Sequence, residues 1–216
     1  MNGLANGFRS QGQYDRAELM YRQTLDLRRK VLGAEHPNTF DSMDNLASIL
    51  EIQGRYKEAE AMYRQALELG TRVRGAQHPH TLDSMNGVVH TLRSQGKYEQ
   101  AEELYRQTLK LRTEALGAEH PQTLDTVDGL ASTLSGRRQH GEAEAMYRQT
   151  LELRTKVLGA EHPGTLKSMN NLAVAQENLG KHEEAGAIYR RTFDLCTRVL
   201  GLKHPDTVWT RNKLRV

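Results

Sequence analysis

The sequence predicts an all-α solenoid of antiparallel helix pairs, and three regularities lead to this fold class. A His-Pro pair recurs every 42 residues, with its histidine at His36, His78, His120, His162 and His204. A tyrosine (Tyr21, Tyr63, Tyr105, Tyr147, Tyr189) and an alanine (Ala17, Ala59, Ala101, Ala143, Ala185) keep the same step. A fixed period of about 20 to 50 residues is typical of arrays whose units pack only against their neighbours. The 216 residues are therefore expected to form one linear array.

The first helix of each unit is predicted to start at the His-Pro pair, because the φ angle of proline suits a first helical turn. In the unit that begins at His36, Thr39 offers a capping oxygen and Asp41 a negative charge for the helix start. The N-cap itself is His36, Asn38 or Thr39. Apolar residues then follow at helical spacing, namely Met43, Leu46, Ala47 and Leu50. Gly54 is expected to end this helix, because glycine tolerates the left-handed conformation found at helix C-termini.

The second helix of the same unit is predicted to run from Tyr56 to the glycine at Gly75. Its apolar face contains Tyr56, Ala59, Tyr63, Leu67 and Val73. The small Ala59 is expected where two helices cross closely, since a larger side chain would push their axes apart. One helix pair cannot cover its own apolar face, so stacking of neighbouring pairs is expected to stabilise the fold.

The period divides the chain into a partial unit, four full units and a stub. Their boundaries are 1–35, 36–77, 78–119, 120–161, 162–203 and 204–216. First helices are predicted near 1–11, 38–53, 80–95, 122–136, 164–179 and 206–215, and second helices near 13–32, 55–74, 97–116, 139–158 and 181–200. The chain begins and ends part-way through a helix, which is expected of a fragment of a longer array or of a decayed short copy.

Composition favours a polar, elongated protein without a patch for nucleic acid or membrane. The chain is 37% hydrophobic and 26% charged, and its net charge of +3 comes from interleaved lysines, arginines and acids. Nucleic-acid and lipid surfaces usually bind clustered basic residues. The single cysteine, Cys196, excludes an intramolecular disulfide and is typical of a reducing compartment. No signal peptide or membrane-spanning run is seen, so a cytoplasmic location is expected.

Several segments resemble the tetratricopeptide repeat at its signature spacings: Met43, Leu46-Ala47, Leu50, Gly54, Tyr56, Ala59, Tyr63 and Ala66-Leu67. The usual unit has about 34 residues. The longer 42-residue unit, with YRQTLELR (147–154) and VLGAEHP (157–163), is similar to the repeats of kinesin light chains. This resemblance implies a right-handed superhelix, a concave groove lined by the first helices, and an adaptor for cargo proteins. The N-terminal heptad coiled coil of kinesin light chains is not present in this sequence.

The resemblance also implies which residues face the groove. They are Asp41, Asp44, Ser48, Glu51 and Ile52; Asp83, Asn86, His90, Arg93 and Ser94; Asp125, Asp128, Ser132, Ser135 and Gly136; and Lys167, Asn170, Val174, Glu177 and Asn178. Seven of these are acidic and two are basic, which gives the groove a charge of about −5. We expect Asn86 and Asn170 to bond the backbone of an extended peptide, and the acids to select lysine or arginine. Kinesin light chain grooves favour acidic peptides with an aromatic anchor, so the expected charge preference is opposite.

A second interpretation of these acids is purely structural. Asp41, Asp83 and Asp125 are predicted in first helical turns, where an acid favours the helix dipole whatever binds nearby. Asp44, Asp128, Glu51 and Glu177 could equally be ordinary exposed acids of a solvated helix.

One unit departs from the pattern at its inter-helix turn. Arg138-Gln139-His140 stands where the first full unit has Gly54-Arg55-Tyr56, with Gly136 and Gly141 on either side. A glycine inside a helix costs about 1 kcal/mol. We therefore expect a looser joint at 135–141; neutral drift in a redundant array is the alternative.

No enzyme, metal site or cofactor is predicted. The five marker histidines recur once per unit, too far apart for one metal ion, whose ligands must all lie within about 2 Å of it. Phosphate loops, serine elbows and HExxH motifs are missing from the sequence. A scaffold that binds a protein or peptide is the leading hypothesis. The alternatives are a homotypic assembly module, in which half-units at the two ends dock head to tail, and a helical enzyme, for which no catalytic constellation is found.

Overall fold

The structure is a computed structural model that describes residues 2–214, and nearly all of them are helical. Its eleven helices in this range are α1 (Asn2–Ser10), α2 (Tyr14–Leu32), α3 (Pro37–Ile52), α4 (Tyr56–Arg74), α5 (Pro79–Ser94), α6 (Tyr98–Leu116), α7 (Pro121–Gly136), α8 (His140–Leu158), α9 (Pro163–Asn178), α10 (His182–Leu200) and α11 (Pro205–Lys213). No strand occurs between residues 2 and 214, so the all-α prediction is confirmed. Helix ends differ from the predicted ones by at most two residues. The predicted ends at Met1 and Arg215 lie outside the described residues.

The His-Pro pair is the start signal of each first helix, and histidine is the N-cap. The imidazole Nδ1 accepts a hydrogen bond from the backbone N–H two residues further on, at 3.0 to 3.3 Å. The five N-caps are His36, His78, His120, His162 and His204. Each has an extended backbone, as expected of a residue before proline. The choice that the sequence left open is thus settled in favour of histidine.

Two expectations about the helix start were wrong. Thr39 does not cap α3; its hydroxyl donates to the carbonyl of Gly33 at 2.8 Å and so ties the preceding helix end to the start of α3. The first turns of α3, α5 and α7 contain no acidic residue, because each helix begins at its proline. Asp41, Asp83 and Asp125 therefore lie one turn further on, and the helix dipole does not explain them.

The predicted alanine and tyrosine positions form the core between helices. The five recurring alanines are 0–2% exposed, and the five tyrosines are 0–8% exposed. The ring of Tyr63 lies so close to Gly87 that a β-carbon there would be 2.4 Å from it. One predicted core residue is wrong: Val73 is 43% exposed.

The described chain divides into two compact units, residues 1–115 and 116–216. In the first, α1 packs on α2, α2 on α3, α3 on α4 and α4 on α5, and the first helices α3 and α5 also touch. In the second, the same sequential packing joins α7 through α11, and α7 touches α9. Consecutive antiparallel packing with contact between alternate helices is the arrangement of a helical-repeat solenoid.

The irregular turn has the same backbone conformation as the other turns, but a residue with a side chain adopts the left-handed conformation in it. Arg138 has a φ of +64°, in the left-handed region, whereas Gly12, Gly54, Gly96 and Gly180 occupy the equivalent positions at +73° to +77°. The turn is as short as in the other units, since α7 ends at Gly136 and α8 begins at His140. The looser joint at 135–141 stays a prediction.

Candidate functional site

In the first compact unit, which ends at Ala115, the first helices α3 and α5 of successive repeats lie side by side. The Ser84 hydroxyl donates to Asp44 Oδ2 at 2.7 Å. Near the C-terminal ends of these helices, the Glu51 carboxylate contacts His90 Nδ1. Asp83 and His90 are 57% and 60% exposed on this face. Polar side chains of the two helices therefore meet on one surface of this unit.

A cavity of about 310 Å³ opens on this surface. Its lining includes the predicted residues Asp41, Asp44, Ser48 and Asp83, and also Arg9, Asn45, Tyr63 and His80. Three carboxyl groups thus surround one concavity. The sequence did not indicate that Arg9 or His80 would lie at its rim.

Asp44 is the most perturbed of these acids. Burial, with Asp41 and Asp83 close by, raises the pKa of Asp44 to about 7, although the hydrogen bond from Ser84 opposes this. Its Oδ1 atom is buried and has no hydrogen-bond partner among the described residues. Burial disfavours the charged form of a carboxyl group, and the charge of Arg74 opposes the rise of this pKa only in part.

Two other acids of this face, Asp41 and Asp83, face arginines of the second helices. Arg74 of α4 pairs with Asp41 through both guanidinium nitrogens, at 2.8 and 3.2 Å. Arg112 of α6 is 3.5 Å from Asp83. With its amide oxygen turned toward the same guanidinium, Asn86 accepts two hydrogen bonds, at 3.0 and 2.6 Å. Asn86, expected to bond a peptide backbone, is therefore bonded to Arg112.

Two further predicted residues of this unit make contacts of their own. The hydrogen bond with Glu51 is the main cause that raises the pKa of His90 above its ordinary value. Arg93 is close enough to hydrogen-bond the hydroxyl of Tyr105. His90 is consequently the more available of the two for a ligand, since its ring is 60% exposed.

In the second unit, one buried arginine organises the predicted acids. Arg154 Nη1 donates to Asp128 Oδ2 at 2.8 Å, and Nη2 donates to Asp125 Oδ1 at 2.7 Å. Arg154 is 2% exposed and the Asp128 side chain 7%, whereas Asp125 is 62% exposed. Burial raises the pKa of Asp128 to about 6, and the charges of Arg154 and Lys167 limit the rise.

The remaining predicted residues of this unit differ in accessibility. Asn170 is 9% exposed and exchanges hydrogen bonds with Thr210 at 3.0 and 3.3 Å, so its amide is used within the chain. Glu177 accepts from Lys213 at 2.8 Å and from the Tyr189 hydroxyl at 3.1 Å. Lys167 is exposed, and Ser132 is half-buried.

The charge of about −5 expected for the groove omitted the cations that face these acids. They are Arg74, Arg112, Arg154 and Lys213. A signal for two of them was present in the sequence, since an arginine recurs at the 42-residue period at Arg28, Arg112 and Arg154. The acidity of the face is therefore concentrated at the cavity around Asp44.

Neither a metal centre nor a membrane span is found in the described part of the chain. No three or more histidine, cysteine or acidic side chains there are grouped as metal ligands. Among the helices of residues 2–214, none combines the length and apolar character needed to cross a bilayer.

Comparison with known proteins identifies the repeats. A tetratricopeptide repeat model matches residues 1–70, 41–114, 81–156 and 126–185, and a second one matches 165–206. None of the curated proteins matches the sequence significantly.

Solved structures are similar over most of the chain. Two crystal structures of a Podosopora anserina protein with nearly identical TPR-like repeats, assigned to the kinesin light chains, are 26% identical and have TM-scores of 0.82 and 0.80. The alignment covers 91% of this chain and 93% of that one. BtubC (BKLC) from P. vanneervenii is 22% identical with a TM-score of 0.78, over 93% of this chain and 81% of that one. The apo form of RapI is 13% identical with a TM-score of 0.78, over 91% and 69%. The last two similarities concern the fold alone.

Proposed function

Because the chain belongs to the tetratricopeptide repeat family, with repeats of the long kinesin light chain-like type, we propose that it binds an extended segment of a partner protein along its first helices. The family consists generally of protein-interaction scaffolds rather than enzymes. The observation that carries the proposal is the shared polar face of α3 and α5, on which Asp44 meets Ser84 and Glu51 meets His90. An extended peptide needs such a row of side chains from successive repeats.

The distribution of exposure supports a polar, peptide-binding face. Asp83, His90 and Asp125 are all more than half exposed, and Arg112 and Arg154 of the second helices pair with the two acids. Long-range selection by overall charge is weak in this arrangement, because four of the acids, Asp41, Asp83, Asp125 and Asp128, already have an arginine nearby. Recognition is therefore expected to depend on local contacts rather than on the net charge of the partner.

Head-to-tail assembly is a less favoured function, because the last full unit lacks the residues that link successive units. An acid of one second helix pairs with the base 37 residues further on: Glu18 with Arg55, Glu60 with Lys97, and Glu144 with Lys181. The next equivalent of these acids is Gly186. Three acids in the connectors between units pair in the same way with a base of the following second helix: Glu35 with Arg72, Glu119 with Lys156, and Glu161 with Arg198. The next equivalent of these acids is Lys203.

The test is selection of peptides on the whole chain, followed by variants of exposed face residues. Asp83→Asn in the first unit and Lys167→Gln in the second remove charge with little change of shape. Both are expected to change the affinity of selected peptides at least threefold. Matched controls are Glu68→Gln and Lys110→Gln, which alter exposed residues of second helices.

The proposal predicts no change for the two controls. Equal affinity in all four variants, or crosslinking of the peptides to the outer faces of second helices, would overturn it. Growth of particle size with protein concentration in the absence of peptide would instead favour assembly.

A further inference from the structure

An arginine of the second helix neutralises the groove acids in two repeats. Arg154 bonds Asp128, Asp125 and the Ser168 hydroxyl, the last at 2.7 Å. Arg112 occupies the equivalent position one repeat earlier and faces Asp83 and Asn86. We call the repeats that supply these two arginines the sibling repeats. In both, the protein itself places a guanidinium group against the paired polar residues of its first helices.

The repeat with Asp41 and Asp44 lacks this arginine but has both acids. The equivalent position is Gly70, which has no side chain. Arg74, one helical turn further on, directs its hydrogen bonds to Asp41. Asp44 keeps only the hydrogen bond from Ser84, and its buried Oδ1 has no partner among residues 2–214.

A third repeat shows that loss of the arginine does not by itself leave an unpaired acid. Its equivalent position is Cys196, and the two acid positions there are Lys167 and Asn170. Asn170 is satisfied by Thr210. That repeat lacks both the arginine and the two acids. Within the described residues, Asp44 therefore lies in the repeat where the acids remain although the arginine does not.

The cavity of about 310 Å³ lies at this carboxyl group and is open to the polar face. Asp44 and Asp83, the latter 57% exposed, form part of its wall, and Arg9 and His80 form other parts. A planar guanidinium can donate to two carboxylates at once, which a lysine ammonium does with less geometric fit. The unpaired oxygen of Asp44 and the exposed carboxylate of Asp83, which Arg112 contacts at 3.5 Å, thus provide acceptors from two neighbouring first helices.

We infer that the cavity lined by Asp44 and Asp83 binds an arginine side chain of the partner segment, in place of the guanidinium that the sibling repeats supply themselves. The inference rests on the proposed function, because it assigns one residue type of the bound segment to one place on the polar face.

The experiment titrates N-acetyl-arginine amide, and separately N-acetyl-lysine amide, into the isotope-labelled full chain, with amide chemical shifts as readout. Saturable shifts are expected in α3 and α5 near Asp44 and Ser84 with the arginine probe. Asp44→Asn should weaken its binding about tenfold or more, because a charge-assisted hydrogen bond is lost. Gly70→Arg should also abolish binding, since the protein then supplies the guanidinium. Asp26→Asn, an exposed second-helix position, is the matched control and should bind as the parent does.

The outcomes separate this inference from the proposed function. Absence of arginine-probe binding, equal binding of the lysine probe, or unchanged affinity in Asp44→Asn overturns the inference, even if longer peptides bind elsewhere on the polar face. Arginine-probe binding that depends on Asp44, together with failure to select any peptide, supports the cavity and contradicts the proposed function. Circular dichroism establishes that each variant is folded. If Gly70→Arg is not folded, Asp44→Asn alone tests the inference.

Discussion

Arg154 and Asp128 form an ion pair at 2.8 Å in which both side chains are almost fully buried, 2% and 7% exposed. Arg154 belongs to the second helix α8 and Asp128 to the first helix α7, and the same guanidinium also donates to the Gly164 carbonyl of α9 at 3.0 Å. One side chain therefore joins three helices of the second unit. A charge held in this way stabilises the fold only while its partners remain in place.

Replacement of Arg154 by methionine is expected to lower the free energy of unfolding by about 3 kcal/mol, because Asp128 would be left buried without its counter-charge. Urea denaturation followed by circular dichroism measures the change. Arg148→Met is the matched control, since Arg148 pairs with Glu144 on the surface and is 53% exposed. Its cost should stay below about 0.5 kcal/mol. Similar losses for the two variants would contradict a central role for Arg154.

Replacement of Arg138 by glycine is expected to stabilise the protein by about 1 kcal/mol. The φ of +64° at Arg138 strains a residue with a β-carbon, and glycine adopts it freely. Thermal melting should show a higher midpoint for Arg138→Gly. Gly180→Arg, at the equivalent turn, should show the converse loss, because no atom lies within 4 Å of the added β-carbon and only backbone strain acts. A lower midpoint for Arg138→Gly would refute the strain argument.

Gly87→Ala is expected to destabilise the first unit by about 2 kcal/mol, because a β-carbon would lie 2.4 Å from the Tyr63 ring. Gly186→Ala tests the same substitution at a loosely packed helical position, where the atom nearest to the added β-carbon is a flexible Arg190 nitrogen at 3.5 Å. There alanine should stabilise by about 0.5 kcal/mol through its helix propensity. Chemical denaturation of both variants is the measurement, and a loss in both would show that Tyr63 is not the cause.

The stability of the protein should fall as pH rises from about 5 to 8, and Asp44 should account for part of the slope. Its folded pKa of about 7 is raised from an ordinary value of about 3.9. The folded state therefore holds the proton more tightly, and this contribution is complete below pH 4 and lost as pH rises through 7. Asp128, with a pKa of about 6, contributes in the same direction.

Urea midpoints of the parent and of Asp44→Asn between pH 5 and 8 measure this contribution. The variant should lose less stability over the range and be the more stable protein at pH 8. Asp41, Asp83, Arg74, His80 and Arg9 surround Asp44 and remain in both proteins, so they do not produce the difference. Parallel profiles for the two proteins would show that Asp44 ionises normally.

Much of the fold could be predicted because the sequence consists of similar 42-residue repeats. The His-Pro pair, the alanine and the tyrosine recur at a fixed step, so an error in one unit is corrected by the others. Helix type and approximate ends follow from local preferences, and the start at each proline is an example. The role of histidine as N-cap could not be chosen, because His36, Asn38 and Thr39 all carry suitable acceptors and only backbone geometry distinguishes them.

The family resemblance predicted the candidate site as a row of first-helix positions, but it did not predict the electrostatics of these residues. Periodicity placed Asp44 and Asp128 at equivalent points, and it gave both the same expected role. Their surroundings differ because Arg154 reaches Asp128 from another helix, whereas Gly70 leaves Asp44 without such a partner. A contact between residues 26 positions apart depends on how two helices pack, which local sequence does not specify.

The sequence by itself determined the class of helices, their order and the step between repeats, since these depend on local backbone preferences and on apolar spacing along each helix. Tertiary structure decided which charges are paired and which groups are buried. These properties arise from distances between side chains of different helices, and the energy of a charge depends on those distances and on its exclusion from water.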